Sequence, residues 1–79
     1  MQTIITKFLA PTNTRGARII AKCWLTNITI AYPVAEIHEA HKIAAEQLIV
    51  KLKMTTGNDW NIVASGETPD GSGYAFIIK

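Results

Sequence analysis

The sequence predicts an α+β fold in which one helix covers one face of an antiparallel β-sheet. Before residue 33 and again after residue 59, short stretches rich in β-branched residues alternate between polar and apolar side chains. Between them lie about twenty residues with helical periodicity and neither glycine nor proline. The predicted order is β-β-β-α-β-β, and a chain of 79 residues is expected to form a single α+β domain, residues 1–79.

The first part of the chain is predicted to form three strands, at residues 3–9, 17–25 and 28–32. Residues 11–16 join the first two strands and contain a proline, an asparagine and a glycine, which favour turns. Thr26 and Asn27 form a shorter turn candidate before the third strand, and Pro33 ends that strand. Three consecutive strands with short connections predict an antiparallel meander.

The helix is predicted over residues 35–54. Glu36 and Glu39 fall in its first turn and Lys51 and Lys53 in its last, an arrangement that suits the helix dipole. Gly57 is placed to act as the C-terminal cap. The side chains expected to face the sheet form one apolar stripe: Ile37, Ala40, His41, Ala44, Leu48 and Leu52.

The C-terminal part is predicted to form a hairpin. Residues 60–65 alternate, with Trp60, Ile62 and Ala64 on one side, and residues 74–78 form the last strand. The polar loop at 67–73 contains turn-forming residues. Its glycines do not form a phosphate loop, because a strand and not a helix follows them.

Composition favours a folded protein of the cytoplasm. Hydrophobic residues make up 48% of the chain, and the single cysteine, Cys23, excludes an internal disulfide. No apolar run approaches the roughly 20 residues that span a bilayer, and the alternating opening lacks the apolar core of a signal peptide. We therefore expect no contact with a membrane.

Charge is distributed unevenly along the chain. The first 35 residues contain four basic residues and no acidic one, whereas the rest contains four basic residues and all six acidic ones. One helix leaves one sheet face uncovered, and alternation places Arg18, Lys22 and Trp24 on that face. The predicted partner-binding residues are Lys7, Arg15, Arg18, Lys22 and Trp24. Such residues attract nucleic acids or acidic proteins, or they are simply solvated.

Other candidate sites are weaker. His38 and His41 are one helical turn apart and could share a metal ion, but no third ligand is fixed by a motif. Cys23 shares its alternation with core alanines and lacks a neighbouring base, so a buried apolar role is expected. We predict no catalytic residue, no metal site and no cofactor.

The opening of the chain resembles a group of small phage and prophage proteins. The resemblance lies in residues 1–7 (MQTIITK), in residues 12–16 (TNTRG) with Arg18 and Ile19, and in the pair Tyr32 and Pro33. No activity is assigned to the group as a whole. Small phage proteins without catalytic residues are often inhibitors of host defence, and anti-CRISPR proteins include α+β domains of this size.

These observations lead to one leading function and two alternatives. The leading one is a non-enzymatic phage protein that binds a host defence protein or ribonucleoprotein complex and inhibits it sterically, as an anti-CRISPR protein does. The first alternative is a small nucleic-acid-binding accessory protein. The second is a structural or assembly protein that associates with a second copy, as a homodimer, through its sheet.

Overall fold

The computed structural model describes residues 1–79 and confirms the α+β class, with one helix packed on a five-stranded antiparallel sheet. The chain order is also β-β-β-α-β-β. The helix is not long and apolar enough to span a membrane. The elements are β1 (Gln2–Leu9), β2 (Arg18–Lys22), β3 (Asn27–Ala31), α1 (Ile37–Thr56), β4 (Ile62–Glu67) and β5 (Gly73–Ile78).

The order of strands across the sheet is β3-β2-β1-β5-β4. The first three strands form the expected meander, and β5 pairs with the other side of β1. The helix connects the two edge strands, β3 and β4. Close approach is required where β5 meets β1, because a Cβ on Gly73 would lie 1.7 Å from the carbonyl oxygen of Thr6. Glycine is therefore needed at the start of β5.

The core lies between the helix and one face of the sheet. Alternate residues of each strand point to this face, as the two-residue period of a strand requires. Three of the buried helical residues are alanines, whose small side chains let the helix lie close to the strands. The buried apolar residues are Ile4, Ile19, Ala21, Phe76 and Ile78 from the sheet, with Ala40, Ala44, Ala45, Leu48 and Leu52 from the helix.

The helix is displaced by two residues from its predicted bounds. It begins at Ile37 and ends at Thr56, where Gly57 forms the predicted cap with φ of 75° and an N–H bond to the Lys53 carbonyl. The prediction that Ile37 is buried is wrong: its side chain is 62% exposed, because it borders an open cavity at the start of the helix. His41, by contrast, is buried with 3% exposure.

Two strands differ from their predicted extent. The β2 strand ends at Lys22, because a turn closed by the Cys23 N–H and the Thr26 carbonyl follows it. Leu25 lies in this turn and is half-exposed. The β4 strand begins at Ile62 and is irregular between Ile62 and Ala64. Ile62 pairs with Ile78 but Ala64 with Ile77, so Ile62 and Ala64 lie on opposite faces, against the prediction.

Candidate binding surface on the open face of the sheet

Three predicted binding residues lie together on the face that the helix leaves uncovered. In the β1–β2 register, Lys7 is paired with Ile20, Lys22 with Ile5, and Arg18 with Leu9. Each cation therefore lies opposite an aliphatic residue and diagonal to the next cation. Diagonal neighbours in an antiparallel pair are about 7–8 Å apart, so the three charges are close without being directly opposed.

This arrangement, which we call the basic face (Lys7, Arg18, Lys22 with Ile5, Leu9 and Ile20), combines charge with exposed apolar surface. Ile5 is 42% exposed, although it lies on the central strand. Long basic side chains can lay their methylene stems on such aliphatic neighbours and keep their charged groups in water. The basic face is therefore chemically suited to contact with a partner that is both acidic and partly apolar.

No acidic residue lies on the basic face itself, although Asp70 of the β4–β5 loop is close enough for Lys7 to lower its pKa. The chain has one ion pair, between Lys53 and Asp59 at 2.9 Å, and it lies at the C-terminal end of the helix. None of the three cations of the basic face takes part in an ion pair. The Nε atom of Arg18 is buried and makes no hydrogen bond. The positive charge of this face is thus left to be neutralised by solvent, counterions or a partner.

The remaining two predicted binding residues lie elsewhere. Arg15 is exposed in the β1–β2 loop, in a turn where its N–H donates to Thr12 Oγ1 at 3.1 Å. Alternation along a longer β2 strand predicted Trp24 on the basic face, and this prediction is wrong. Trp24 packs edge-on against Trp60 with ring centroids 5.4 Å apart, and Trp60 Nε1 donates to Thr56 Oγ1 on the helix. Because β2 ends at Lys22, Trp24 lies in the following turn and no longer obeys the alternation of the strand.

The basic face also lacks the other aromatic residues. Phe8 and Tyr74 lie in register with Ile19 and Thr6, which are buried beneath the helix. Phe8 contacts Tyr32 edge-on at 5.7 Å, so Tyr32 belongs to the same side. Phe76 is buried in the core. The basic face is consequently aliphatic and cationic, without a ring on which a nucleic-acid base could stack.

A buried polar pair lies on the opposite face of the sheet. Thr6, on the central strand, is fully buried, and its Oγ1 lies 2.7 Å from Nδ1 of His41. We assign the hydroxyl proton to the carbonyl of Tyr74, 3.3 Å away, which makes Thr6 the acceptor of the Nδ1 proton of His41. Burial, and to a smaller extent the nearby His38, lower the pKa of His41 below 6.5. His41 is thus a neutral core residue.

Sequence reasoning missed this pair, although a signal was present. Thr6 occupies a core position of β1 by alternation with Ile4, and His41 lies on the apolar stripe of the helix. Two polar residues at facing core positions are expected to bond to each other, because an unpaired polar group in the core is costly.

The two histidines do not converge on a common site. His38 is exposed, lies 3.4 Å from Ser65 Oγ through its Nε2, and stacks near Phe76, whereas His41 points to Thr6. No group of three or more His, Cys, Asp or Glu side chains is arranged to hold a metal ion. Cys23 is partly buried against the core and its thiol donates to the Thr26 carbonyl at 3.3 Å.

The β4–β5 loop is organised by Asp70. Its Oδ1 accepts hydrogen bonds from the Ser72 N–H, the Ser72 hydroxyl and the Thr68 hydroxyl, at 3.0, 2.8 and 2.8 Å. These bonds, with a smaller contribution from Lys7, lower the pKa of Asp70 to about 2. Since its carboxylate is engaged within the loop, Asp70 has a structural role there.

Comparisons with protein-family models, with curated proteins and with solved structures found no match to this chain.

Proposed function

We propose that this protein is a non-enzymatic binding protein that uses its basic face to occupy an acidic surface of a larger partner. The observation that carries the proposal is the cluster of Lys7, Arg18 and Lys22, none of them in an ion pair, on the uncovered face of paired strands. A preformed surface on paired strands needs little ordering when it binds, which favours affinity. Clustered charge of one sign also accelerates association with an oppositely charged partner.

An acidic protein surface fits the basic face better than single-stranded nucleic acid does. Proteins that bind single strands combine basic residues with aromatic platforms for the bases. Here the basic residues alternate with Ile5, Leu9 and Ile20, and the aromatic residues lie elsewhere. Aliphatic side chains between cations match a protein surface on which carboxylates border an apolar patch.

The biological role we propose is steric inhibition of a host defence complex, such as a CRISPR–Cas ribonucleoprotein. Two considerations support it: the resemblance of residues 1–7 and 12–16 to small phage proteins, and a positively charged binding surface on a small domain. The resemblance is a matter of context and supplies no mechanism by itself. The mechanism we infer is occlusion, in which the basic face covers an acidic surface that the complex needs for docking.

A plating assay tests this proposal. The protein is expressed in bacteria whose CRISPR–Cas system targets an infecting phage, and plaque formation is counted. We expect plaques to be restored by the parent protein and lost with Arg18→Glu combined with Lys22→Glu. The matched control, Lys42→Glu combined with Lys51→Glu, changes net charge equally on the helix, involves no ion pair and should still restore plaques.

Two results would contradict the proposal. Absence of plaques with the parent protein, across hosts that carry different CRISPR–Cas types, would refute the inhibitory role. Full restoration of plaques by the Arg18→Glu, Lys22→Glu variant would instead refute the role of the basic face.

A further inference from the structure

A second candidate site lies on the other side of the sheet, where the helix begins. A cavity of about 360 Å³ opens between the first turns of α1 and the ends of β1, β3, β4 and β5. This volume is near the lower end of the range for ligand pockets, so it suits one small molecule or one side chain. The aromatic and ionisable residues of its lining are Phe8, Tyr32, His41, Glu67 and Tyr74.

His41 offers this cavity a hydrogen-bond acceptor. Its Nδ1 proton is donated to Thr6, whose own proton goes to the Tyr74 carbonyl. The proton on Nδ1 fixes the tautomer, so Nε2 carries the lone pair. His41 is almost fully buried, with 3% exposure, and it lines the cavity. Its Nε2 atom makes no hydrogen bond within the chain. An N–H group of a ligand could supply the missing partner.

The walls add features that attract a cation. Phe8 and Tyr32 meet edge-on at 5.7 Å, and the ring of Tyr74 lies 4.9 Å from that of His41. The faces of such rings attract ammonium and guanidinium groups. Glu67, in register with Tyr74 on β4, adds a full negative charge and takes part in no ion pair.

The positive end of the helix dipole, near Ile37, opposes a cation. This charge amounts to roughly half a unit, and an acidic residue in the first turn, Glu39, offsets it. Lys7 is in register with Gly73 of the cavity wall, but its side chain belongs to the opposite face. The negative charge of Glu67 and the acceptor of His41 therefore outweigh the dipole.

We propose that this cavity binds an organic cation that carries N–H donors, namely an alkylammonium or guanidinium group. The cation contacts the rings of Phe8, Tyr32 and Tyr74, donates to Nε2 of His41 and pairs with the carboxylate of Glu67. The proposal is independent of the basic face, which lies on the opposite side of the sheet.

Titration with n-butylammonium, followed by NMR shifts of the intact protein, tests this proposal. We expect saturable shifts at His41, Glu67 and Tyr74. The neutral analogue n-butanol, and butyltrimethylammonium, which lacks N–H donors, should bind at least about tenfold more weakly, which corresponds to about 1.4 kcal/mol. Equal binding of n-butanol would refute a cation site, and equal binding of butyltrimethylammonium would refute the contact with His41.

A variant pair separates the charge of Glu67 from general electrostatics. Glu67 is exposed, so Glu67→Gln should fold normally and weaken n-butylammonium binding about fivefold to tenfold. Glu46→Gln, which removes an exposed carboxylate from the helix, should leave binding unchanged. Equal loss in both variants, or loss in neither, would contradict the assigned role of Glu67.

The same cation could be a free amine or a basic side chain of another protein. Nα-acetyl-lysine N-methylamide distinguishes these sources, because it presents the alkylammonium group on a peptide backbone. Binding as tight as that of n-butylammonium would indicate a lysine side chain as the ligand. Much weaker binding would indicate a free amine, because the backbone would then be sterically excluded.

Discussion

The two faces of the sheet are built from the same strands but have opposite chemistry. In β1, Ile4 and Thr6 are buried beneath the helix, whereas Ile5 and Lys7, which alternate with them, face outward. On the covered face the buried hydroxyl of Thr6 is bonded to His41; on the open face the cations have no partner. The difference implies that residues for folding and residues for binding alternate along the chain, so substitutions can separate the two properties.

The largest loss of stability is expected from a substitution beneath the helix, on the covered face of the sheet. Leu48→Ala removes a fully buried side chain and should lower the free energy of unfolding by about 2–5 kcal/mol. Val50→Ala, on the same helix but 58% exposed, is the control and should cost far less. Denaturant unfolding measures both. Similar losses in the two variants would show that the helix does not bury the assigned stripe.

The second largest loss of stability is expected when the buried bond between Thr6 and His41 is removed. Thr6→Val keeps the shape of the side chain but leaves the Nδ1 proton of His41 without an acceptor, which should cost about 1–3 kcal/mol. Thr3→Val, on the open face of the same strand, should change stability by less than about 0.5 kcal/mol. Thermal melting compares them, and equal stability of the two variants would contradict the Thr6–His41 bond.

The pair also predicts a dependence of stability on pH. The folded protein holds the pKa of His41 below 6.5, so the unfolded chain binds this proton more readily. The free energy of unfolding should therefore decrease as pH falls below 6.5, by at most about 1.4 kcal/mol per pH unit. Urea unfolding between pH 7.5 and 5 measures the slope. Stability that rises on acidification would contradict a neutral, buried His41.

The smallest effect on stability is expected on the open face. Arg18→Glu combined with Lys22→Glu should shift the free energy of unfolding by no more than about 0.5 kcal/mol for each residue, since neither cation takes part in an ion pair. Circular dichroism and thermal melting check this. A loss comparable to that of Leu48→Ala would mean that the basic residues are needed for folding, and the separation of the two faces would fail.

Much of this arrangement could be predicted from the sequence, because it depends on local periodicity. Alternation along β2 placed Arg18 and Lys22 correctly on the uncovered face, and helical spacing identified Leu48 and Leu52 as core. The exact end of a strand is less predictable, since it depends on turn hydrogen bonds. For that reason Trp24 was expected on the basic face, whereas the turn after Lys22 brings it to Trp60.

Features that depend on tertiary contacts were not predictable in the same way. The bond between Thr6 and His41 joins residues that are 35 positions apart. The cavity at the start of the helix is formed by residues of three strands and α1, with Tyr32 and the β4–β5 loop, so no sequence motif marks it. The irregular pairing between Ile62 and Ala64 likewise has no local signal, and it reversed the expected side of Ala64.

The central claim is that the basic face is the surface of this protein that attracts an acidic partner. NMR titration with an oligoglutamate peptide tests it directly, with a thymidine oligonucleotide of equal charge as comparison. We predict that the peptide shifts the signals of Lys7, Arg18, Lys22 and their aliphatic neighbours, saturates at lower concentration than the oligonucleotide, and leaves those of Lys51 and Lys53 unchanged. Shifts centred on the helix lysines, or tighter binding of the oligonucleotide, would contradict the claim.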